Sequence, residues 1–215
     1  MSGDRGLVFI VDDDDAVGIA MARVLRASGF DAQHFTSASA FLRCRTDDRP
    51  ACVLLDVRMP EVNGLELQQA LTDAQALAVV FLTGHADVKT SVAAMKAGAV
   101  DFLTKPVEAD LLIEAVVRGL SRSRLIAAQR LERRAFLDRV ALLTSREREV
   151  AALVIRGLLN KQIAATIGTA EKTVKVHRAR LMEKLGVTSV AELARLAERN
   201  RTLARDAESG ASAAG

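Results

Sequence analysis

The sequence predicts an α/β domain built on a doubly wound, five-stranded parallel sheet, followed by a separate all-α domain. Three observations carry this. Short apolar runs rich in Val, Ile, Leu and Phe alternate with helix-like stretches in the first half, the second half holds no convincing strand, and the charge changes sign between them. Residues 1–117 hold 17 Asp/Glu against 10 Lys/Arg, and residues 118–215 hold 10 against 20. The net charge of +3 therefore conceals an acidic half and a basic half, as in a protein with one part that meets a polyanion.

The elements follow in order. Leu7–Val11, Ala51–Leu55 and Ala78–Leu82 are apolar throughout, as strands buried on both faces are. Asp31–Phe35 and Val100–Leu103 are weaker candidates that complete five. Val17, Ala20, Met21, Val24 and Leu25 recur at helical spacing, and Val88, Val92 and Met95 do so again before Gly98, a C-cap signal. Strand and helix alternating this regularly imply a parallel sheet with helices on both faces. Glu108 to about Ala141 reads as a helix, Arg-rich after Arg118, that joins the two domains. Thr144-Ser145-Arg146-Glu147 is a capping-box pattern, so a new helix starts there. From there to about Arg201 the pattern is helical, broken at Gly157, Gly168 and Gly186. The final ESGASAAG is small and polar, and is expected to be disordered. The expected organisation is a domain over 5–118, a helical linker over 119–141, a helical domain over 142–203 and a tail over 204–215.

Composition narrows the class further. The chain is 50% hydrophobic and 27% charged, ordinary values for a globular protein with a sizeable core. Its two cysteines, Cys44 and Cys52, have no second CxxC pair or histidine cluster, and read as reduced structural thiols. No run approaches the roughly 18 apolar residues that a membrane span needs, and the short N-terminal apolar run ends in four acids. The expectation is a cytoplasmic protein with no membrane partner.

In a doubly wound sheet, ligands bind outside the carboxyl ends of the strands. Asp12 and Asp13 follow the first strand, Asp56 the third, Thr83 the fourth, and Lys105 the fifth, just before Pro106. Each has an ordinary explanation alone, as a helix-start charge, a cap or a solvated loop lysine. Their coincidence at strand ends is the signal. An aspartate can act as a nucleophile and carry a phosphoryl group as an acyl phosphate. Several carboxylates would repel so anionic a group, so a hard divalent cation, Mg²⁺ by default, is called for.

The segments IVDDDD, LLDVRMPEVNG, FLTGHADV, AMKAGAVDF and LTKP resemble the receiver domains of two-component response regulators, in order and spacing, over residues 5–118. The resemblance implies a flavodoxin-like fold, with Asp56 accepting a phosphoryl group from a sensor histidine kinase. It implies that Asp13 and Asp56 bind Mg²⁺ directly with the backbone carbonyl of Arg58, while Asp12 acts mainly through water. Lys105 would pair with the phosphoryl oxygens, Thr83 would donate its hydroxyl, and Gly84 would leave room. Phe102 would move into the space that Thr83 vacates. Arg58 and His85 occupy positions that tune hydrolysis of the acyl phosphate, and Asp14 and Asp15 read as a charged first turn of helix one. A phosphatase of the haloacid dehalogenase kind needs a second Asp two residues after its nucleophile. Arg58 stands there, so the chain is not read as an enzyme.

Residues 144–196, TSREREVAALVIRGLLNKQIAATIGTAEKTVKVHRARLMEKLGVTSVAELARL, resemble the LuxR-type helix-turn-helix domain. With the receiver this makes a regulator of the FixJ/NarL type. Gly168 makes the turn, Ile163, Ala164 and Ile167 give the first helix its buried side, and the recognition helix begins near Glu171. Ala170, Val174, Leu181 and Leu185 form its expected inward stripe. Lys172, Lys175, Val176 and Ala179 recur on another face, with cations for base acceptors and a valine for a thymine methyl. Lys161, Thr173, Arg178 and Lys184 are expected phosphate contacts. By resemblance Glu147 belongs to an internal ion pair. His177 is expected to be packed or backbone-contacting. The implied partners are double-stranded promoter DNA and a second copy when phosphorylated, with RNA polymerase as a further candidate.

Overall fold

The computed structural model describes residues 6–44, 49–60, 64–74, 77–84 and 88–203. His85 and the 204–215 tail lie outside the described residues. Five strands, β1 (Leu7–Val11), β2 (Asp31–Phe35), β3 (Ala51–Asp56), β4 (Leu77–Thr83) and β5 (Asp101–Thr104), form one parallel sheet in the order β2-β1-β3-β4-β5. Helices α1 (Asp15–Ala27), α2 (Ala38–Arg43), α3 (Gly64–Ala74), α4 (Val88–Lys96) and α5 (Ala109–Ala141) connect and follow them.

Alternation of side chains along the strands decides which helix covers which face. Phe9, Val11, Val53, Leu55, Val79 and Phe81 point to one side and pack with Phe41 of α2, Leu67 and Leu71 of α3, and Ala94 of α4. Val8, Ile10, Leu54, Val80 and Leu82 point to the other, against Met21, Ala22 and Leu25 of α1 and Leu112, Val116 and Leu120 of α5. Ala20 faces solvent, as do Val92 and Met95 on α4, so not every apolar residue at helical spacing lies on the inward side. β3, β4 and β5 each end one residue later than the sequence suggested. Asp56 is in register with Leu82 and Thr83 with Thr104, so both side chains are held by sheet ladder rather than by loop. Cys52 is wholly buried, and burial pushes its thiol up to about 12, as fits an inert packing group.

The chain divides into two compact units, Met1–Arg130 and Leu131–Gly215, and the division falls inside the continuous helix α5. Ser123, buried within α5, accepts a hydrogen bond from the Ala51 amide at 2.9 Å, tying this part of the helix to the sheet. Further on, Phe136 and Val140 belong to the core of the second unit. That core is completed by α6 (Ser145–Ile155), α7 (Asn160–Thr166), α8 (Glu171–Leu185) and α9 (Val190–Asn200). The capping box at its start is formed: Thr144 Oγ1 accepts from the Glu147 amide at 3.2 Å, and Glu147 Oε2 from the Thr144 amide at 2.9 Å. Gly157, Gly168 and Gly186 have φ of 85°, 65° and 66°, the left-handed conformation that stops a helix and that glycine adopts without steric cost.

Candidate phosphoacceptor pocket and DNA-reading helix

The pocket gathers at the carboxyl end of the sheet. Asp12 is fully buried and Asp56 nearly so, whereas Asp13 is exposed. Lys105 Nζ lies 2.6 Å from Asp12 Oδ2 and 3.1 Å from Asp56 Oδ1, bridging the two buried carboxylates. Asp12 Oδ1 accepts from the Asp14 amide at 3.1 Å, and Asp56 Oδ2 from the Arg58 amide at 3.2 Å. Asp14 caps α1 by accepting from the Val17 amide, so the two acids beyond Asp13 serve the helix start. Burial pushes the Asp56 carboxyl above its ordinary range and Asp12 adds to the rise, while Lys105 and the Arg58 amide oppose it. Burial alone would lower Lys105, but its contacts with the two carboxylates outweigh this and hold it above its ordinary value.

Asp12, Asp13 and Asp56 each offer a carboxylate oxygen, all within 4.8 Å of one another. Oxygen-only donors, two of them buried, suit a hard divalent cation. Thr83 is buried one strand over, and its carbonyl accepts from the Lys105 amide at 2.7 Å. Gly84 is exposed, and a Cβ there would meet nothing within 4 Å. Phe102 is half-buried, with its ring centroid 6.3 Å from that of Phe81. The sequence reading missed His34, whose Nε2 lies 3.0 Å from the Asp12 carbonyl. No local pattern marks it, because the contact crosses from β2 to the end of β1.

In the second unit α7, a four-residue turn and α8 form a helix-turn-helix. Val174, Leu181 and Leu185 face inward, but Ala170 is exposed at the N-cap of α8 and leaves the expected stripe. Lys172, Lys175, Val176 and Ala179 are all exposed, and Lys175 makes a surface pair with Glu171 at 3.3 Å. Lys161 and Thr173 are exposed. Arg178 donates to Asn160 Oδ1 at 2.6 Å, which joins α8 to the first residue of α7. Arg146 donates to the Ile167 carbonyl and pins the turn, a contact across 21 residues that the sequence did not suggest. His177 is half-buried, and its Nδ1 has no hydrogen-bond partner among the described residues.

One expected phosphate contact, Lys184, has a partner within the fold. Lys184 Nζ sits 2.6 Å from Glu147 Oε2 and 3.2 Å from the Leu142 carbonyl, with its side chain still partly exposed. Glu147 is buried, and Lys184 first, then the Thr144 amide, hold its carboxyl below the ordinary range. The internal partner of Glu147 is therefore Lys184.

An acid-and-lysine pocket at the switch point of a doubly wound sheet, followed by a helix-turn-helix with an exposed basic face, defines a two-part signalling regulator. Comparison with known proteins places it further. The family described as "Response regulator receiver domain" matches residues 8–117, and "Bacterial regulatory proteins, luxR family" matches residues 141–197. The chain is 38% identical to "Response regulator protein TodT" of Pseudomonas putida over 93% of its length and 88% of that protein's. It is 42% identical to "Transcriptional regulatory protein FixJ" of Azorhizobium caulinodans, over 88% of this chain and 90% of that one. The solved structure of response regulator StyR superposes with a TM-score of 0.71 at 43% identity, over 91% of this chain and 99% of that one. The chain belongs to the response regulators that join a receiver domain to a LuxR-type domain, and it is a phosphorylation-dependent transcriptional regulator. A receiver implies a histidine kinase partner, and a LuxR-type domain implies DNA binding. No helix among the described residues is long and apolar enough to cross a membrane.

Proposed function

We propose that Asp56 accepts a phosphoryl group from a sensor histidine kinase in a Mg²⁺-dependent reaction, and that this switches homodimerisation and sequence-specific binding to promoter DNA. The observation that carries the proposal is the position of Asp56. It is a buried carboxylate on the last ladder pair of β3, with Lys105 at 3.1 Å and two further carboxylates beside it. Asp56 forms the new bond to phosphorus as the bond from phosphorus to the donor's imidazole nitrogen breaks, and the imidazole takes up a proton. Asp13, Asp56 and the Arg58 carbonyl would hold Mg²⁺, with Asp12 acting through water. When bound, the cation would offset the charge gathering on the phosphoryl oxygens.

Lys105 then shifts from Asp56 Oδ1 to the phosphoryl oxygens, and Thr83 donates its hydroxyl to them beside Gly84. The group adds roughly −1.5 to −2 charge, which draws Thr83 inward and frees space for Phe102. Dimerisation on the face of α4, β5 and α5 is supported by Val92, Met95 and Leu111, each about half exposed. Receiver function is assigned to residues 5–118, linkage to 119–141 within α5, and DNA reading to 142–203, in the cytoplasm. Lys172, Lys175, Val176 and Ala179 read base edges, while Lys161, Thr173, Arg178 and Lys184 hold phosphates. RNA polymerase is a candidate partner once the promoter is bound. The test is Asp56→Asn, which keeps size and removes the nucleophile. It should fold, bind DNA at the basal level and ignore a small phosphodonor. Phosphodonor that labels Asp56→Asn, or tightens its DNA binding as in the wild type, defeats the proposal.

A further inference from the structure

We propose that His34 is a positioning residue for the acidic pocket, holding the backbone at Asp12, and with it Asp13, where a divalent cation can be bound. The inference rests on the reading of that pocket as a Mg²⁺ site. His34 pairs in register with Ile10, two residues before Asp12. Alternation along β2 puts it on the side of Ala32, beneath α1. Its side chain is nearly buried, with Nε2 3.0 Å from the Asp12 carbonyl and Nδ1 3.4 Å from Asp15 Oδ1. A carbonyl only accepts, so Nε2 carries the proton and donates it. One imidazole thus touches the residue before Asp13 and the first residue of α1.

Plain packing under a helix would not require the next observation. Gly18 is buried in the second turn of α1, and a Cβ there would lie 2.1 Å from His34 Nε2 and 2.2 Å from Cδ2. A glycine inside a helix is destabilising by up to about 1 kcal/mol against alanine. Here its bare backbone makes the seat for the ring. The contacts close a circuit: His34 holds the Asp12 carbonyl, Asp12 holds the Asp14 amide, Asp14 caps α1, and α1 seats His34 at Gly18. Asp13 lies inside this circuit. No hydrogen bond or ion pair fixes its exposed side chain among the described residues, so its place depends on the backbone on either side.

The test is calorimetric titration of the full chain with Mg²⁺ alone, with a thermal melt of each variant. His34→Ala should bind Mg²⁺ roughly tenfold more weakly, the low end for loss of a group that orients a metal ligand. His34→Gln, whose Nε2 can reach the Asp12 carbonyl, should stay within about twofold of wild type, a rescue that loss of packing alone would not give. Gly18→Ala should weaken Mg²⁺ by expelling the ring, and in a His34→Ala background it should cost little more. Full affinity in His34→Ala, or His34→Gln as weak as His34→Ala, overturns the assignment. If His34→Ala does not fold, Gly18→Ala decides: wild-type affinity there overturns it and weakened affinity supports it. Asp13→Asn separates the two levels. If it binds Mg²⁺ as the wild type does, the reading of the pocket fails and His34 falls with it. If it loses Mg²⁺ while His34→Ala keeps it, His34 alone is wrong.

Discussion

Lys184 Nζ lies 2.6 Å from Glu147 Oε2, which ties the last turn of the recognition helix to the first turn of α6. The same carboxylate closes the capping box with Thr144, and the same ammonium reaches the Leu142 carbonyl at the end of α5. α6, α8 and the end of α5 therefore meet at one ion pair.

This pair predicts an acid-side loss of stability. Glu147 is held below its unfolded value of 4.5, chiefly by Lys184. A lowered folded pKa contributes stability that is complete above about 4.5 and is lost as pH falls through the lower folded value. Lys184→Met should cost about 1–3 kcal/mol at neutral pH and flatten that acid-side decline. Hydrogen exchange of the α6 and α8 amides across the pH range measures both, and an unchanged pH profile in the variant would remove the pair from the account.

The same geometry separates two classes of lysine in DNA binding. Lys161→Ala should weaken binding to every sequence and lower the salt slope by about one. Lys184→Met should lower the slope less, because its ammonium is already paired with Glu147.

Lys175 stands apart from both, exposed on the face with Lys172, Val176 and Ala179. Lys175→Ala should cost about 1–3 kcal/mol on the cognate site and little on random DNA. Equal losses on all sequences would move Lys175 to the phosphate class.

Lys105 opposes two buried carboxylates. Lys105→Met should therefore lower the melting temperature in metal-free buffer, and Mg²⁺ should restore it more than it raises the wild type. At a hundred times Kd the cation should contribute about 2.7 kcal/mol. Equal Mg²⁺ shifts in both proteins would show that the lysine and the cation do not share these carboxylates.

Cutting the chain tests where the second domain begins. A fragment starting near Val140 separates inhibition by the receiver from dimerisation, but it discards Phe136, which is buried in the second core. A fragment from Leu131 should be more stable by about 3–5 kcal/mol, the usual effect of a buried aromatic. Parallel denaturation curves decide this. If the Leu131 fragment then binds DNA better than the unphosphorylated full chain, the receiver inhibits. If it binds equally or worse, the receiver acts by bringing two copies together.

The sequence by itself determined the parallel sheet, the helix-turn-helix and the residues of the pocket, because these signals are local. Apolar runs mark β1, β3 and β4, glycines stop the helices, and Asp12, Asp13, Asp56, Thr83 and Lys105 fall beside strand ends. Only the tertiary structure decided what joins residues far apart in the chain. His34 meets Asp12 across 22 residues, Arg146 meets Ile167 across 21, and Lys184 meets Glu147 across 37. The sequence set Lys184 among the phosphate contacts and could not show the buried carboxylate 2.6 Å from its Nζ. The sequence reading put Phe136 and Val140 in the linker, whereas both pack in the second core at the far end of the continuous helix α5. Periodicity reports which side of an element is apolar. What that side packs against is set by the path of the whole chain, so the charge partners appeared only in the folded molecule.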